Sequence, residues 1–147
     1  MRLSLVEAEK ALARDEVPVG AVIVSPSGGV VGRGHNAPVA FNDPTAHAEI
    51  VAIRDAARRT GNYRLTGCVL AVTLEPCIMC AGAIVHARLG GVVFGARDAR
   101  AGAVMSHLDG FELPFHNHTP WQADGILEGE CAALLRNFFA ARRPEKP

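Results

Sequence analysis

Hydrophobic and polar positions along the chain follow two periods, one typical of helices and one typical of strands. Apolar residues recur at helical spacing near both ends, so we expect helices over residues 3–15 and 126–143. Two β-branched runs, at 19–24 and 30–34, flank a turn rich in Gly, Pro and Ser. Such a turn between two runs is typical of a β-hairpin. The N-terminal part of the chain is therefore predicted to be a helix followed by a hairpin.

The middle of the chain alternates between helical and strand patterns. The sequence Asp43-Pro44-Thr45 favours the start of a helix, which we expect to end near Thr60 because Gly and Asn follow. Nearly continuous apolar runs at 69–74 and 92–94 are typical of strands that are buried on both faces. A second helix is expected between them, over 77–88. This alternation indicates an α/β architecture.

Periodicity is lost before the final helix. Residues 101–125 contain two prolines, three histidines and the single tryptophan, and a loop of this length in a compact domain is more often functional than accidental. Residues 144–147 are expected to form a frayed tail. The order of elements predicts one α/β domain over residues 1–147, with a mixed sheet between helical layers.

Composition excludes two other classes of protein. With 49% hydrophobic and 20% charged residues among 147, the chain is unlike a disordered protein. Its uninterrupted apolar stretches are much shorter than the roughly 18 residues that a membrane helix needs, so no membrane partner is expected. The N-terminus runs directly into an amphipathic pattern and lacks the apolar block of a signal peptide. We therefore expect a cytoplasmic location.

The formal charge of the chain is zero, but positive charge is concentrated in its middle. Residues 51–100 hold seven arginines and three acidic residues, a net charge of +4, while the segments before and after carry −2 each. A nucleic-acid partner would need such local charge, because a generally basic surface is excluded. We therefore expect any contact with RNA phosphates to be small, and its salt dependence to be shallow.

The four cysteines fall into two groups. Cys68 and Cys131 lie in apolar runs, where small buried hydrophobic residues are the expected interpretation. Cys77 and Cys80 form a C-x-x-C pair at the start of a predicted helix, which indicates metal binding or redox chemistry. At this spacing two thiolates project from one face of a helix and can hold one ion.

A second group of chemically capable residues lies about 30 positions earlier. His47 and Glu49 stand at another predicted helix start, and alone they would indicate only a solvated helix end. With Cys77 and Cys80 in Pro-Cys-x-x-Cys, they match the zinc deaminase pattern H-x-E…P-C-x-x-C. Two thiolates and one imidazole leave a fourth zinc position open for water, as in catalytic sites. Glu49 then carries a proton from that water to the substrate, whereas a redox C-x-x-C would leave it unused.

The sequence resembles the bacterial tRNA-specific adenosine deaminases over nearly its whole length. The histidine and cysteine motifs identify only the superfamily, whereas the stretches 95–98 and 117–118 point to the tRNA branch. The stretches that carry the resemblance are Glu16–Gly20, Asp43–Ile50, Asn62–Leu65, Val72–Cys77, Met79–Gly82, Val93–Asp98 and Glu130–Leu135.

The resemblance implies a three-layer, cytidine deaminase-like fold with about five strands, a homodimer and one Zn²⁺ per subunit. It also implies conversion of the wobble adenosine, position 34 in the anticodon loop of an arginine tRNA, to inosine. His47, Cys77 and Cys80 would hold zinc. Glu49 would deprotonate the bound water, protonate the purine ring nitrogen as hydroxide attacks C6, and pass a proton to the departing ammonia.

Substrate contacts follow from the same resemblance. Asn36 matches a position that contacts the flipped nucleotide. Asp98 would accept a hydrogen bond, for instance from a ribose 2′-hydroxyl, or would instead pair with Arg97 or Arg100. Phe138 would offer a ring to a base, or would belong to the core with its neighbour. Further expected substrate contacts are Arg100, Asn117 and His118, whereas His86 and His107 are expected to be ordinary histidines.

Two alternatives stay open from the residues. The first is a deaminase of guanine, cytosine or a nucleotide with the same zinc chemistry in a closed pocket, which needs no basic rim. The second is a noncatalytic zinc-bearing subunit or RNA-binding module. Retention of Glu49 argues against the second, because a purely structural site has no use for an unligated carboxylate.

Overall fold

The structure is a computed structural model that describes residues 1–142, so the predicted tail at 144–147 lies outside the described residues. Within residues 1–142, five strands form one mixed sheet. The strands are β1 Gly20–Val24, β2 Val30–His35, β3 Val69–Leu74, β4 Gly91–Ala96 and β5 Trp121–Ala123. Their order across the sheet is β2-β1-β3-β4-β5.

The pairing of the strands explains why the sheet is mixed. β1 runs antiparallel to both β2 and β3, which confirms the predicted hairpin. β3, β4 and β5 run parallel to one another. The sequence pattern missed β5, which lies within the predicted loop and pairs Trp121 with Gly91. Three residues are too few to show a period of two, so only the neighbouring strand defines this one.

Five helices accompany the sheet in the described part of the chain. The four predicted helices are present with somewhat shorter bounds, and a further short helix of four residues follows β2. No helix within residues 1–142 is both long and apolar enough to cross a membrane. The helices are α1 Arg2–Leu12, α2 Pro38–Phe41, α3 Ala48–Thr60, α4 Ile78–His86 and α5 Glu128–Ala140.

Helices cover both faces of the sheet, as the predicted three-layer architecture requires. A Cβ atom at Gly20 of β1 would collide with the backbone of α1, and one at Gly34 of β2 would collide with the backbone of α3. Gly34 pairs with Ala21, the residue after Gly20, and successive residues of a strand point to opposite faces. The two helices therefore lie on opposite faces and press directly on the strands.

The core lies mainly between the sheet and the layer of α3 and α4. Its members are apolar side chains from the central strands and both helices, joined by Phe111 from the long loop. Cys68 and Cys131 are buried and free, as their apolar context predicts. This packing brings the N-terminal ends of α3 and α4 together, which decides where the chemically capable residues meet.

The start of α3 differs from the prediction. Asp43 does not cap the helix, because its carboxylate accepts hydrogen bonds from the N–H and hydroxyl of Thr45, at 2.8 Å and 2.7 Å. This local turn delays the helix, whose N-cap is His47 in an extended conformation. His47 therefore lies just before the helix, and Glu49 lies in its first turn.

Candidate functional site

Three metal-binding side chains meet where α3 and α4 begin. His47 is the N-cap residue of α3, Cys77 is the N-cap residue of α4, and Cys80 lies in the first turn of α4. The Nδ1 atom of His47 lies 3.6 Å from each of the two Sγ atoms. Within the described residues this is the one group of three or more His, Cys, Asp or Glu donors that all lie within 4.8 Å of one another.

The geometry of this group fits zinc. A tetrahedral ion with a Zn–S distance of about 2.3 Å and a Zn–N distance of about 2.05 Å separates the two kinds of donor by about 3.6 Å. The separation between His47 and each cysteine is 3.6 Å. Three protein donors leave one tetrahedral position open, which is the arrangement of catalytic rather than structural zinc. The predicted ligand set therefore forms a suitable site.

The electrostatics of the two cysteines favour a thiolate at the site. A hydrogen bond from the thiol of Cys80 lowers the pKa of Cys77 to about 4, against burial and with help from His47. The same hydrogen bond and burial raise the pKa of Cys80. A hydrogen bond with Cys77 raises the pKa of His47. These shifts favour a thiolate at Cys77, and metal binding releases the proton of Cys80.

Glu49 lies beside the ligands but does not belong to the donor group. Its side chain is 4% exposed, and this burial raises the pKa of its carboxyl to about 7. A carboxyl with a pKa near neutrality can both accept and return a proton, as a general acid and base must. The side chain is therefore suited to proton transfer rather than to metal binding.

A small cavity of about 140 Å³ opens over the metal-binding group. Asn36 lies in its wall, and the Oδ1 atom of Asn36 accepts a hydrogen bond of 2.9 Å from the backbone N–H of Ala48. That bond ties the loop after β2 to the first turn of α3. The cavity is lined by Asn36, His47, Glu49, Glu75, Cys77, Asp98 and neighbouring apolar side chains.

A larger groove of about 660 Å³ adjoins this cavity. The two share Val17, Leu74 and Asp98 in their walls. One wall of the groove is the segment after β4, and the other is α5. Three arginines and one aromatic ring stand in these walls, namely Arg97, Arg100, Arg136 and Phe139. Part of the positive charge that we predicted for the central part of the sequence therefore lies next to the cavity.

Asp98 stands where the cavity and the groove meet. Its carboxylate accepts a hydrogen bond of 2.9 Å from the backbone N–H of Arg100. Arg97 instead forms an ion pair of 2.7 Å with Asp124. Within the described residues, Asp98 makes no ion pair with either arginine that we considered as a partner. Its carboxylate is thus held in place by a backbone group and keeps further acceptor capacity.

Phe138 and Phe139 have different surroundings. Phe138 is 6% exposed, and the guanidinium of Arg142 lies 3.5 Å from its ring centre. Phe139 is 42% exposed and lines the groove. The ring that faces the groove is therefore that of Phe139, not the predicted Phe138. Helical periodicity in the sequence does not decide which of the two rings is buried, because either of two adjacent residues can lie on the apolar face of a helix.

Asn117 and His118 lie away from this cleft. The Oδ1 atom of Asn117 accepts a hydrogen bond of 2.5 Å from Arg88, and His118 contacts the backbone oxygen of Leu89 at 2.6 Å. Arg88 and Leu89 follow the C-terminal end of α4, a helix of nine residues whose other end carries the metal ligands. The predicted substrate contacts there gain no support from this placement. His86 and His107 are exposed and lie outside the metal-binding group, as expected.

Two residues of the cleft escaped sequence analysis. Arg136 lies three positions before Phe139, so helical periodicity with Phe139 was the available signal. Glu75 directly precedes the Pro-Cys-x-x-Cys motif, and its carboxylate is 2% exposed. Burial alone would raise its pKa, but the hydroxyl of Ser106 and backbone N–H groups lower it to about 2. Its position beside the motif was the only sequence signal.

Comparisons with known proteins agree with this site. The family model for the cytidine and deoxycytidylate deaminase zinc-binding region matches residues 1–96. A tRNA-specific adenosine deaminase of Haemophilus influenzae is 48% identical over 146 residues, which cover 99% of this chain and 84% of that protein.

Solved structures also resemble the chain. One, from work on A-to-I editing by tRNA:A34 deaminases at the wobble position, has a TM-score of 0.89 at 48% identity, covering 92% of this chain and 97% of that one. A guanine deaminase from Nitrosomonas europaea has a TM-score of 0.79 at 26% identity, covering 95% of this chain and 82% of that one.

The matched region contains every residue of the metal centre. The family model extends over His47, Glu49, Cys77 and Cys80, and the identity of 48% extends over nearly the whole chain. The fold and the family that the motifs predicted are thereby confirmed. The chain belongs to the zinc-dependent deaminases of the cytidine and deoxycytidylate deaminase family and, within it, to the tRNA-specific adenosine deaminases.

Proposed function

We propose that the protein hydrolyses the wobble adenosine, position 34 of an arginine tRNA, to inosine and ammonia. The observation that carries this proposal is that two spaces lie side by side. A small cavity lined by His47, Cys77 and Glu49 shares Asp98 in its wall with a much larger groove lined by arginines. One base of a polynucleotide can enter the first while its neighbours lie in the second.

Glu49 is proposed to move the protons of the reaction. When bound by His47, Cys77 and Cys80, zinc supplies positive charge and a water molecule whose pKa is near 7. Glu49 would accept a proton from this water and donate it to the ring nitrogen next to C6 as the water oxygen adds to C6. It would then take the proton of the new C6 hydroxyl group and deliver it to the amine as the C6–N bond breaks, so that adenine and water become hypoxanthine and ammonia. Burial of Glu49 keeps bulk water from competing for these protons.

The sizes of the two spaces favour an RNA substrate. Pockets for small molecules usually measure about 300–1,000 Å³, whereas the cavity over the metal centre measures about 140 Å³. It therefore suits a flipped base in contact with Asn36, and the sugar and neighbouring nucleotides remain outside. Asp98 stands at the boundary, where its carboxylate can accept a hydrogen bond from a 2′-hydroxyl.

The groove supplies contacts that a free base would not use. Arg100 and Arg136 are exposed in its walls, where their guanidinium groups can bind phosphates. The exposed ring of Phe139 can stack on a neighbouring base. A deaminase of free guanine or cytosine would need only the small cavity, and a nucleotide would not fit within it. This difference makes tRNA the better-supported substrate.

We also propose that the protein is a homodimer that acts in the cytoplasm. The outward face of α4 is apolar: Ile78 is 53% exposed, and the space beside Gly82 is open. A second copy of the chain, which the family resemblance implies, would cover this face. All four cysteines are free, which suits a reducing compartment. The mass of the zinc-loaded protein in solution tests the dimer.

The decisive experiment supplies the zinc-loaded protein with an anticodon stem-loop that carries a wobble adenosine. Parallel reactions contain guanine, cytosine or free adenosine, and a stem-loop with wobble guanosine serves as the matched control. We expect inosine in the first stem-loop and no ammonia from the other reactions. Ammonia from a free base alone would assign the protein to the small-molecule class instead.

A further inference from the structure

One buried carboxylate lies in the wall of the cavity and takes no part in the proposed chemistry. Glu75 follows β3 directly and lies two positions before the metal ligand Cys77. Its Oε1 atom accepts hydrogen bonds from the N–H groups of Val104, Met105 and Ser106, at 3.1, 2.7 and 2.8 Å. Its Oε2 atom accepts hydrogen bonds from the N–H of Asp98, at 3.0 Å, and from the hydroxyl of Ser106.

All five donors belong to one segment, residues 98–106. This segment contains turns but neither a helix nor a strand, so regular backbone pairing does not hold it. A Cβ atom at Gly102 would collide with the carboxylate of Glu75, so the close approach requires glycine. The backbone N–H of Ala103 donates a hydrogen bond of 2.9 Å to the oxygen of Pro76. The segment is therefore bound along the two residues that precede Cys77.

We propose that Glu75 is a positioning residue for substrate recognition. Its carboxylate holds the segment 98–106 against the start of α4, and so sets the distance between Asp98 and the metal ligands. Asp98 lines both the cavity and the groove, so displacement of this segment would move a wall of each. The proposed role in substrate recognition rests on the proposed RNA substrate. The proposed role in holding the segment 98–106 in place does not depend on that substrate.

The experiment compares wild type with Glu75→Gln, which keeps the shape of the side chain. The amide replaces one acceptor by a donor, so some N–H groups of the segment lose their partner. We expect the amides of Asp98, Val104, Met105 and Ser106 to exchange hydrogen about tenfold faster or more. We expect zinc content to stay at one ion per chain, KM for the stem-loop to rise about tenfold, and kcat to change much less.

The control is Glu7→Gln. Glu7 is another buried carboxylate, 3% exposed, and contacts Lys10 on α1 and His35 on β2 rather than the cleft. This variant should lose stability but keep the wild-type KM. If Glu75→Gln fails to fold, Ser106→Ala removes one donor and should change exchange and KM in the same direction by a smaller factor.

Each outcome decides one part of the inference. Unchanged exchange at the four amides would show that Glu75 does not hold the segment. Faster exchange with an unchanged KM would show that the position of the segment does not matter for recognition. If the wild-type protein does not act on the stem-loop, the proposed function fails, and the exchange measurement still decides whether Glu75 holds the segment.

Discussion

The Nδ1 atom of His47 lies 3.6 Å from the Sγ atom of Cys77, although 30 residues separate them in the sequence. Each residue is the N-cap of a helix, so the packing of α3 beside α4 sets this distance. Neither side chain caps its helix by a hydrogen bond, which leaves both free to bind a metal. The metal centre is therefore a property of how two helix ends meet.

Removal of one ligand should abolish both zinc binding and turnover, whereas removal of the proton carrier should abolish turnover alone. We expect Cys80→Ala to retain no stoichiometric zinc. Glu49→Gln should keep one zinc per chain and lower kcat by about 10²- to 10⁴-fold, because general acid–base catalysis contributes that much. Metal analysis and single-turnover assays on the same samples test both. Loss of zinc in Glu49→Gln would contradict its assigned role.

The two adjacent phenylalanines of α5 should respond differently to substitution. Phe139→Ala should raise KM for the stem-loop about 5- to 150-fold, because base stacking on an aromatic ring contributes about 1–3 kcal/mol. Its stability should change little, since the ring is 42% exposed. Phe138→Ala should lower the free energy of unfolding by about 3–5 kcal/mol through loss of a buried ring. Urea unfolding and steady-state kinetics of the two variants test this prediction. A raised KM in Phe138→Ala with an unchanged KM in Phe139→Ala would assign base stacking to Phe138.

Binding of the stem-loop should depend only weakly on salt. With phosphate contacts from Arg100 and Arg136 alone, the slope of log affinity against log salt is expected to be about −1.4. Arg136→Ala should make the slope about 0.7 shallower. Arg58→Ala, which changes an exposed arginine on α3, should leave it unchanged. The test is a salt titration with Glu49→Gln, which binds without turnover, and a steep slope would show a larger RNA footprint.

Stability should depend on pH through Glu7. Burial by itself would raise the pKa of this carboxyl, but hydrogen bonds from Lys10 and His35 outweigh burial and hold it below 4.5. A carboxyl with a lowered pKa stabilises the fold above its unfolded pKa, and this contribution is lost as the pH falls through the folded pKa. Glu7→Gln should therefore lower the free energy of unfolding by about 1–3 kcal/mol at pH 7.

The same difference should shrink as the pH falls below the unfolded pKa of about 4.5, because the unfolded chain takes up the proton first. The contribution of the charge is lost once the pH has fallen through the lower pKa of the folded state. Urea unfolding at pH 7, 5 and 3.5 measures it. Glu9→Gln, an exposed change on the same helix, serves as the control and should alter stability by no more than about 0.5 kcal/mol. A difference for Glu7→Gln that stays constant with pH would show that packing, not charge, stabilises this contact.

Much of the fold and the metal centre was predictable because the signals are local. Hydrophobic periodicity indicated the main helices and four strands, since burial of one face imposes a period on each element. The residues His47, Glu49, Cys77 and Cys80 were predictable because a zinc ion accepts few donor types, and their spacing is characteristic. These inferences need only neighbours in the chain or a recognisable pattern of residue types.

Two features that depend on a specific contact were missed or misplaced. Strand β5 has three residues and exists because Gly91 of β4 pairs with Trp121. The start of α3 moved because the side chain of Asp43 bonds to Thr45 rather than to the helix. In each case, a contact that the sequence pattern does not encode decided the local structure.

By itself, the sequence determined which residues can bind zinc and carry a proton, because those properties belong to the side chains. Only the tertiary structure decided which residues face the substrate cleft. It turned Phe139 rather than Phe138 towards the groove, placed Asn117 at the far end of α4, and set Glu75 beneath the segment of Asp98. The physical reason is that exposure and distance arise when helices and strands pack, and packing joins residues that are remote in the chain.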